Sequence, residues 1–265
     1  GSHQRSWLWG RRAVMEVLKH RRWPINQLYL GENLSDEERN QVARAAIDMG
    51  VTVQVEPPKR LRELCHNRQH QGFLARMSPF PYTAFNQLIG LIAAPNQPAQ
   101  PLVAVLDAVQ DPYNFGAILR SAEVLGVRAT LVGTQGQVGV NSHVARSSAG
   151  AVNRIPICCE TNLTQAVSRL KSRGFEIVGA SEKADDTPCT DFNFDRPVAL
   201  ILGNEGKGIS QPLLEQCDAM VSVPQSGEIG SLNVAVAASI LFYEAQRRKR
   251  IKSLETETDN EQRDV

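Results

Sequence analysis

Between residues 102 and 248, short apolar segments alternate with segments of helical periodicity, and this alternation constrains the fold more than any other feature of the chain. Leu102–Leu106, Ala129–Val132, Glu176–Ala180, Val198–Leu202 and Ala219–Val223 read as strands. Helical spacing follows Asn114, covers about Asn141–Ala151 and Leu163–Arg173, and returns from Leu232 towards Arg248. Leu102–Leu106 and Val198–Leu202 are apolar throughout and each of the other three has a single polar residue; strands that are not merely apolar on every second residue are buried on both faces. With helices between them they imply an α/β fold with a mostly parallel sheet covered on both sides.

Ligands of such sheets bind where strands end at their carboxyl edge, so the loops leaving the strands are the places to look for chemistry. Three stand out. The first is DPYNFGAILRSA (Asp111–Ala122), in which Asn114 is placed to cap a helix that carries Arg120. The second, LGNEGKGIS (Leu202–Ser210), sets three glycines, Gly203 among them, and the carboxylate Glu205 directly after an apolar strand. Glycine there permits either close approach of backbone to a ligand or a positive φ. The third, VPQSGEIGSLNVAVAASILFYE (Val223–Glu244), is a polar loop in which Ser231-Leu232-Asn233 opens a helix of small residues. Each also has a plain structural reading: a helix cap with a solvated arginine, a tight strand-to-helix turn, and a capped core helix. Neither GxxxxGK[ST] nor GxGxxG spacing occurs in the second loop, so nucleotide triphosphate and dinucleotide readings lose their support.

The first third of the chain is organised differently. Trp9–His20 has one apolar helical face, Val14, Val17 and Leu18, with Arg11, Arg12 and Lys19 outside it. A strand at Gln27–Leu30 precedes Ser35 and Glu38, which are spaced as a capping box for a helix to about Met49. A strand at Val51–Val55, a helix at about Lys59–Cys65 and a strand at Gln71–Arg76 complete a small α/β unit. Residues 1–78 carry 13 Lys/Arg against 8 Asp/Glu, although the whole chain has a net charge of only +1. An electrostatic footprint for nucleic acid is therefore sought at this end. Pro79, Pro81, Pro95, Pro98 and Pro101 give the following stretch the composition of a linker. The division expected is residues 4–78, a linker at 79–100, a second domain at 101–250, and a disordered acidic tail at 251–265.

No apolar run approaches the roughly 20 residues of a membrane span. Gly1-Ser2-His3 reads as a cloning remnant, with no export signal after it. The five cysteines are scattered without CxxC spacing, which suggests reduced thiols in a cytoplasmic protein and no metal site.

The three loops, in this order and at these distances, resemble motifs 1, 2 and 3 of the SpoU/TrmH family of RNA 2'-O-ribose methyltransferases in the SPOUT superfamily. GRRAVMEVL (Gly10–Leu18) and HQGFLA (His70–Ala75) extend the likeness to the RNA substrate-binding domain of members acting on bacterial 23S rRNA, a domain similar to ribosomal-protein modules. The resemblance implies a deep trefoil knot in the second domain, a homodimer, S-adenosylmethionine as cofactor and structured RNA as substrate. It places Asn114, Arg120, Glu205, Ser231 and Asn233 at catalytic-motif positions and Gly203, Val223 and Leu232 at cofactor-contact positions. Gln225 stands where methionine is frequent in the family, and Glu228 adds a carboxylate. A guanosine of 23S rRNA is the first expectation for the target, with tRNA as the alternative. A non-catalytic RNA-binding protein is the competing class, and the presence of all five catalytic-motif residues argues against it.

Overall fold

The structure is a computed structural model that describes residues 7–94, 100–183, 185–227 and 230–263, with side chains described through Ile251. The amino-terminal part runs β1 (Trp7–Trp9), α1 (Arg11–His20), β2 (Ile25–Gly31), α2 (Asp36–Asp48), β3 (Val53–Glu56), α3 (Pro58–Cys65) and β4 (Phe73–Met77). Its four strands form a sheet in the order β1-β4-β2-β3, antiparallel except for β2 with β3. The capping box is present: Ser35 Oγ accepts from Glu38 N at 3.2 Å, and Ser35 N donates to the Glu38 carboxylate at 3.2 Å. The expected first helix is shortened by β1. Trp7, Leu8 and Trp9 are all buried as a strand, and Gly10, at φ 98°, turns the chain into α1.

The remaining elements are α4 (Phe85–Ile92), β5 (Leu102–Leu106), α5 (Pro112–Val124), β6 (Ala129–Gly133), α6 (Ser142–Ser147), β7 (Ile157–Glu160), α7 (Leu163–Lys171), β8 (Glu176–Ser181), β9 (Thr187–Pro188), β10 (Val198–Leu202), α8 (Gln211–Leu214), β11 (Ala219–Ser222) and α9 (Val234–Arg263). Seven strands make one sheet in the order β7-β6-β5-β10-β8-β11-β9, and every pair is parallel. Leu102, Ala104, Leu106, Val198, Leu200 and Leu202 face one apolar cluster, while Val103, Val105, Ala199 and Ile201 face another. That double burial is the physical reason for the continuous apolar runs. Between β5 and β10 the strand order reverses, because β6 and β7 lie to one side of β5 and β10 with β8 to the other. A crevice opens at the carboxyl ends of strands at such a point.

Two expectations are corrected. The proline-bounded stretch at 79–100 is not simply a linker, because α4 lies within it and buries Phe85, Leu88 and Ile92 in the second cluster. These three residues share a helix face, and Pro81 and Pro95 fall outside the helix, so the proline content did not oppose it. Residues 95–99 lie outside the described residues. The tail is not disordered from residue 251: α9 continues to Arg263, through a segment with no Gly or Pro and many strong helix formers. The last two residues of that tail lie outside the described residues.

The two sheets are joined by a shared core. Leu8, Val14, Trp23 and Phe80 belong to the same apolar cluster as Leu102, Phe115 and Leu200. Arg22 crosses the junction, donating to the Ile155 carbonyl at 2.6 Å and to Thr83 Oγ1 at 3.1 Å, and burial lowers its pKa. No helix among the described residues is long and apolar enough to cross a membrane, and all five cysteines are free.

Candidate active site

At the crevice, the loop after β5 leads into α5. The amino-terminal cap is Asp111 and not Asn114: its carboxylate accepts from Tyr113 N at 2.6 Å and Asn114 N at 2.9 Å, with Pro112 in the first helical turn. Asn114 is thereby released from capping and turns its side chain outward across the crevice. Its Nδ2 donates to Glu205 Oε1 at 3.1 Å, and its Oδ1 accepts from Asn233 Nδ2 at 3.0 Å. Asn233 in turn caps α9, its Oδ1 accepting from Ala235 N at 2.9 Å and Val236 N at 3.3 Å. One line of hydrogen bonds thus ties together segments 91 and 119 positions from Asn114 along the chain. With a carboxylate at one end and helix N–H groups at the other, every polar atom of the two amides named here has a fixed direction.

The loop after β10 is held by its own contacts. Asn204 Oδ1 accepts from Gly206 N and Lys207 N, both at 3.0 Å, and Asn204 Nδ2 donates to the Ala108 carbonyl at 2.8 Å. Asn204 and Gly208 also exchange both backbone hydrogen bonds at 2.9 Å, with Gly208 at φ 69°. A Cβ on Gly203 would overlap the backbone of Gly208 and Ile209. Glycine is required there by the loop closing on itself, which differs from both reasons available in the sequence. Asp107, at the end of β5, accepts from Ser210 N at 2.6 Å and so pins the far side of the same loop. Asn204 and Asp107 were not singled out from the sequence. An asparagine two residues before a glycine, directly after a strand, is the signal for Asn204, and Asp107 has no comparable local signature.

Arg120 lies on α5 six residues beyond Asn114, about 9 Å along the axis. It is exposed and, among the described residues, forms no hydrogen bond or ion pair. Ser231 is exposed and likewise makes no hydrogen bond among the described residues. The structure therefore brings together Asn114, Glu205 and Asn233, and leaves Arg120 and Ser231 facing solvent. Val223 packs on the first cluster, while Leu232 keeps 36% of its surface exposed. A large apolar side chain held open in a polar loop suits a flat, weakly polar ligand group. Gln225 is exposed, and Glu228 lies outside the described residues. No group of three or more His, Cys, Asp or Glu among the described residues is placed to hold a metal ion.

Known proteins resemble both parts of the chain. Residues 101–243 match the model of the SpoU rRNA methylase family, and residues 7–83 match that of the RNA 2'-O ribose methyltransferase substrate-binding domain. The chain is 36% identical over 245 residues to the 23S rRNA (guanosine-2'-O-)-methyltransferase RlmB of Shewanella oneidensis, covering 92% of this chain and 97% of that one. It is 34% identical to YacO of Bacillus subtilis, a protein named for the TrmH family of tRNA/rRNA methyltransferases, over 94% of this chain and 98% of that one. Among solved structures, the SpoU methyltransferase AviRb of Streptomyces viridochromogenes in complex with AdoMet superposes with a TM-score of 0.76 at 26% identity, over 93% of this chain and 90% of that one. Both halves of the chain are matched, in the same order as they occur here, and the chain belongs to the SpoU family of RNA 2'-O-ribose methyltransferases.

Proposed function

We propose that this protein methylates the 2'-hydroxyl of a guanosine in 23S rRNA, with S-adenosylmethionine as methyl donor, acting as a homodimer in the cytoplasm. The observation that carries the reading is the Glu205–Asn114–Asn233 line of hydrogen bonds, which fixes all three loops around one crevice. The exposed Leu232, the half-buried Val223 and the self-closed turn at Gly203 fit an adenosine-bearing cofactor lying across the loop ends. Bound there, the cofactor supplies an electrophilic methyl group on a sulfonium centre. What the chain must do is hold a ribose oxygen in line with that group and keep the nucleotide still, and positioning of this kind supplies a large part of the acceleration.

Arg120 performs the holding. A guanidinium is a poor base but a strong bidentate ligand for phosphate. It stands unpaired among the described residues, so binding a phosphate breaks no existing ion pair. Asn114 and Glu205 join the first two loops across the crevice, Asn233 anchors the third loop to α9, and Ser231 stands exposed on that loop. After β11, at the far side of β8, the chain returns to α9, which lies on α5 with Ser239 Oγ 2.7 Å from Ser121 Oγ. That return path supports the trefoil knot implied by the family resemblance. Val124, Val236, Ile240 and Tyr243 are exposed on α5 and α9, and an apolar face of this size supports pairing of two copies.

The test is a map of 2'-O-methyl groups across total RNA from a strain with the gene deleted and from the same strain complemented. One 23S rRNA guanosine should lose its methyl group and regain it on complementation. Loss confined to tRNA would overturn the substrate assignment, and no loss in any RNA would overturn the activity.

A further inference from the structure

The junction of the two domains opens onto the crevice beside Asn114, and its side chains have no part in the network described above. Trp9 is 1% exposed. The His143 ring stands edge-on to it, with centroids 5.4 Å apart and planes at 89°. Tyr113 packs against His143 in turn, centroids 5.8 Å apart, its hydroxyl 3.5 Å from His143 Nδ1. This succession of rings begins in the core and ends at Tyr113, which is 61% exposed and adjacent in sequence to Asn114. Polar groups flank it. Arg146 lies over the Trp9 ring, 5.7 Å from its centroid, and donates to Gln69 Oε1 at 3.2 Å. Gln71 sits at φ 51°, and its Oε1 accepts from Arg11 N at 3.1 Å. A non-glycine residue in the left-handed region is strained backbone of a kind that gathers at functional sites.

An exposed tyrosine alone would mean little. This one is braced from behind by rings rooted in the other domain, which holds its face in a fixed place. Burial and the nearby Arg146 both lower the pKa of His143, which favours the uncharged ring behind Tyr113. Sequence-selective RNA recognition works on bases that leave their stack and settle on aromatic side chains, with polar groups at their edges. Tyr113 and Asn114 are neighbours in the first turn of α5, so a base seated on Tyr113 lies beside the crevice that Asn114 crosses.

We propose that Tyr113 is a positioning residue, a shelf on which a base splayed out beside the methylated ribose is stacked, with Gln69, Gln71 and Arg146 along its polar side. The inference rests on the methyltransferase reading above. The base, once seated, fixes the glycosidic bond and hence where the 2'-hydroxyl points, and only an RNA able to release that base is a good substrate.

The experiment uses the full-length protein and total rRNA from the deletion strain, with radiolabelled S-adenosylmethionine. Base stacking lost on alanine substitution corresponds to a decrease of roughly five- to a hundredfold. Tyr113→Ala should lower kcat/KM for RNA by that range, while Tyr113→Phe stays within about twofold and Tyr113→Leu falls with alanine. Cofactor affinity, subunit mass by light scattering and the slope of RNA binding against salt should not change in Tyr113→Ala. Arg146→Gln, by contrast, should reduce that slope by about one. Wild-type turnover in Tyr113→Ala, leucine performing as well as phenylalanine, or dissociation of the alanine variant into monomers would each overturn the shelf. If the wild-type protein bound this rRNA without methylating it, the enzymatic reading would fall. Equal rRNA affinity of wild type and Tyr113→Ala would then overturn the shelf as well, and a five- to hundredfold weaker affinity of the variant would uphold it.

Discussion

Arg120 and Gly203 are of opposite kinds, and their substitution should separate chemistry from architecture. Arg120 is exposed and forms no hydrogen bond or ion pair among the described residues, so Arg120→Ala should leave the unfolding midpoint and the cofactor dissociation constant nearly unchanged while turnover falls by about a hundredfold or more. Isothermal calorimetry and a methyl-transfer assay on one preparation read both quantities, and retained turnover would remove the residue from the mechanism. Gly203 touches its own loop. Gly203→Ala places a methyl group against the Gly208 and Ile209 backbone, which must move. A loss of about 1–3 kcal/mol in a urea titration is expected, together with weaker cofactor binding as the loop shifts; an unchanged midpoint would show that the loop relaxes freely. Cys158 shows a third kind of residue effect. Burial first, and then the Glu160 carboxylate, push its thiol up to about 12, and burial with Asp218 pushes Cys217 to about 11. An unfolded thiol ionises near about 8.5. The folded state therefore retains protons that the unfolded state releases, and this contribution, complete below that pH, is lost as pH rises towards the folded values. Urea midpoints should decline between about pH 8.5 and 11, and Cys158→Ala should decline less steeply from a lower start.

At the scale of elements, α5 shows how a helix start can organise a site. Asp111 takes the cap, Pro112 fixes the first turn, and Asn114 is left to reach across the crevice. Asp111→Ala should cost about 0.5–2 kcal/mol. It should also slow methyl transfer more than an equally destabilising change elsewhere, because the first turn that aims Asn114 loosens; activity compared at matched stability is the check. The sequence could not distinguish Asp111 from Asn114 as the cap, since both residue types cap well and lie three positions apart. It was informative where burial is two-sided: β5 and β10 were legible to their end residues, as strands with every residue buried must be apolar throughout. Short elements escaped. β1 is three residues, its last, Trp9, reading as the start of the helical pattern after it, and α4 is hidden by the prolines on either side. The residue types of the site were legible through the resemblance, but which of them touch one another was not. Asn114 and Glu205 meet because the sheet order brings β5 and β10 together, and Asn233 joins them because α9 packs on α5.

At the scale of the whole molecule, the shared core at the junction between the domains is expected to make them unfold together. Arg22→Ala would strip the Ile155 carbonyl and Thr83 of their donor in a half-buried setting, and should lower stability by about 1–3 kcal/mol. Unfolding followed by tryptophan fluorescence and by circular dichroism should remain one coincident transition in the wild type. Two separated transitions there would show that the shared core does not couple the halves. The placement of β10 beside β5 also bears on how the chain is made. Leu102 and its partner Val198 are 96 positions apart, and translation adds roughly 5–20 residues per second. For about 5–20 seconds the ribosome therefore displays a fully apolar strand with one hydrogen-bonding edge bare. During that interval the growing chain depends on cellular holding factors, and each newly made copy is most exposed to aggregation before its own β10 has emerged.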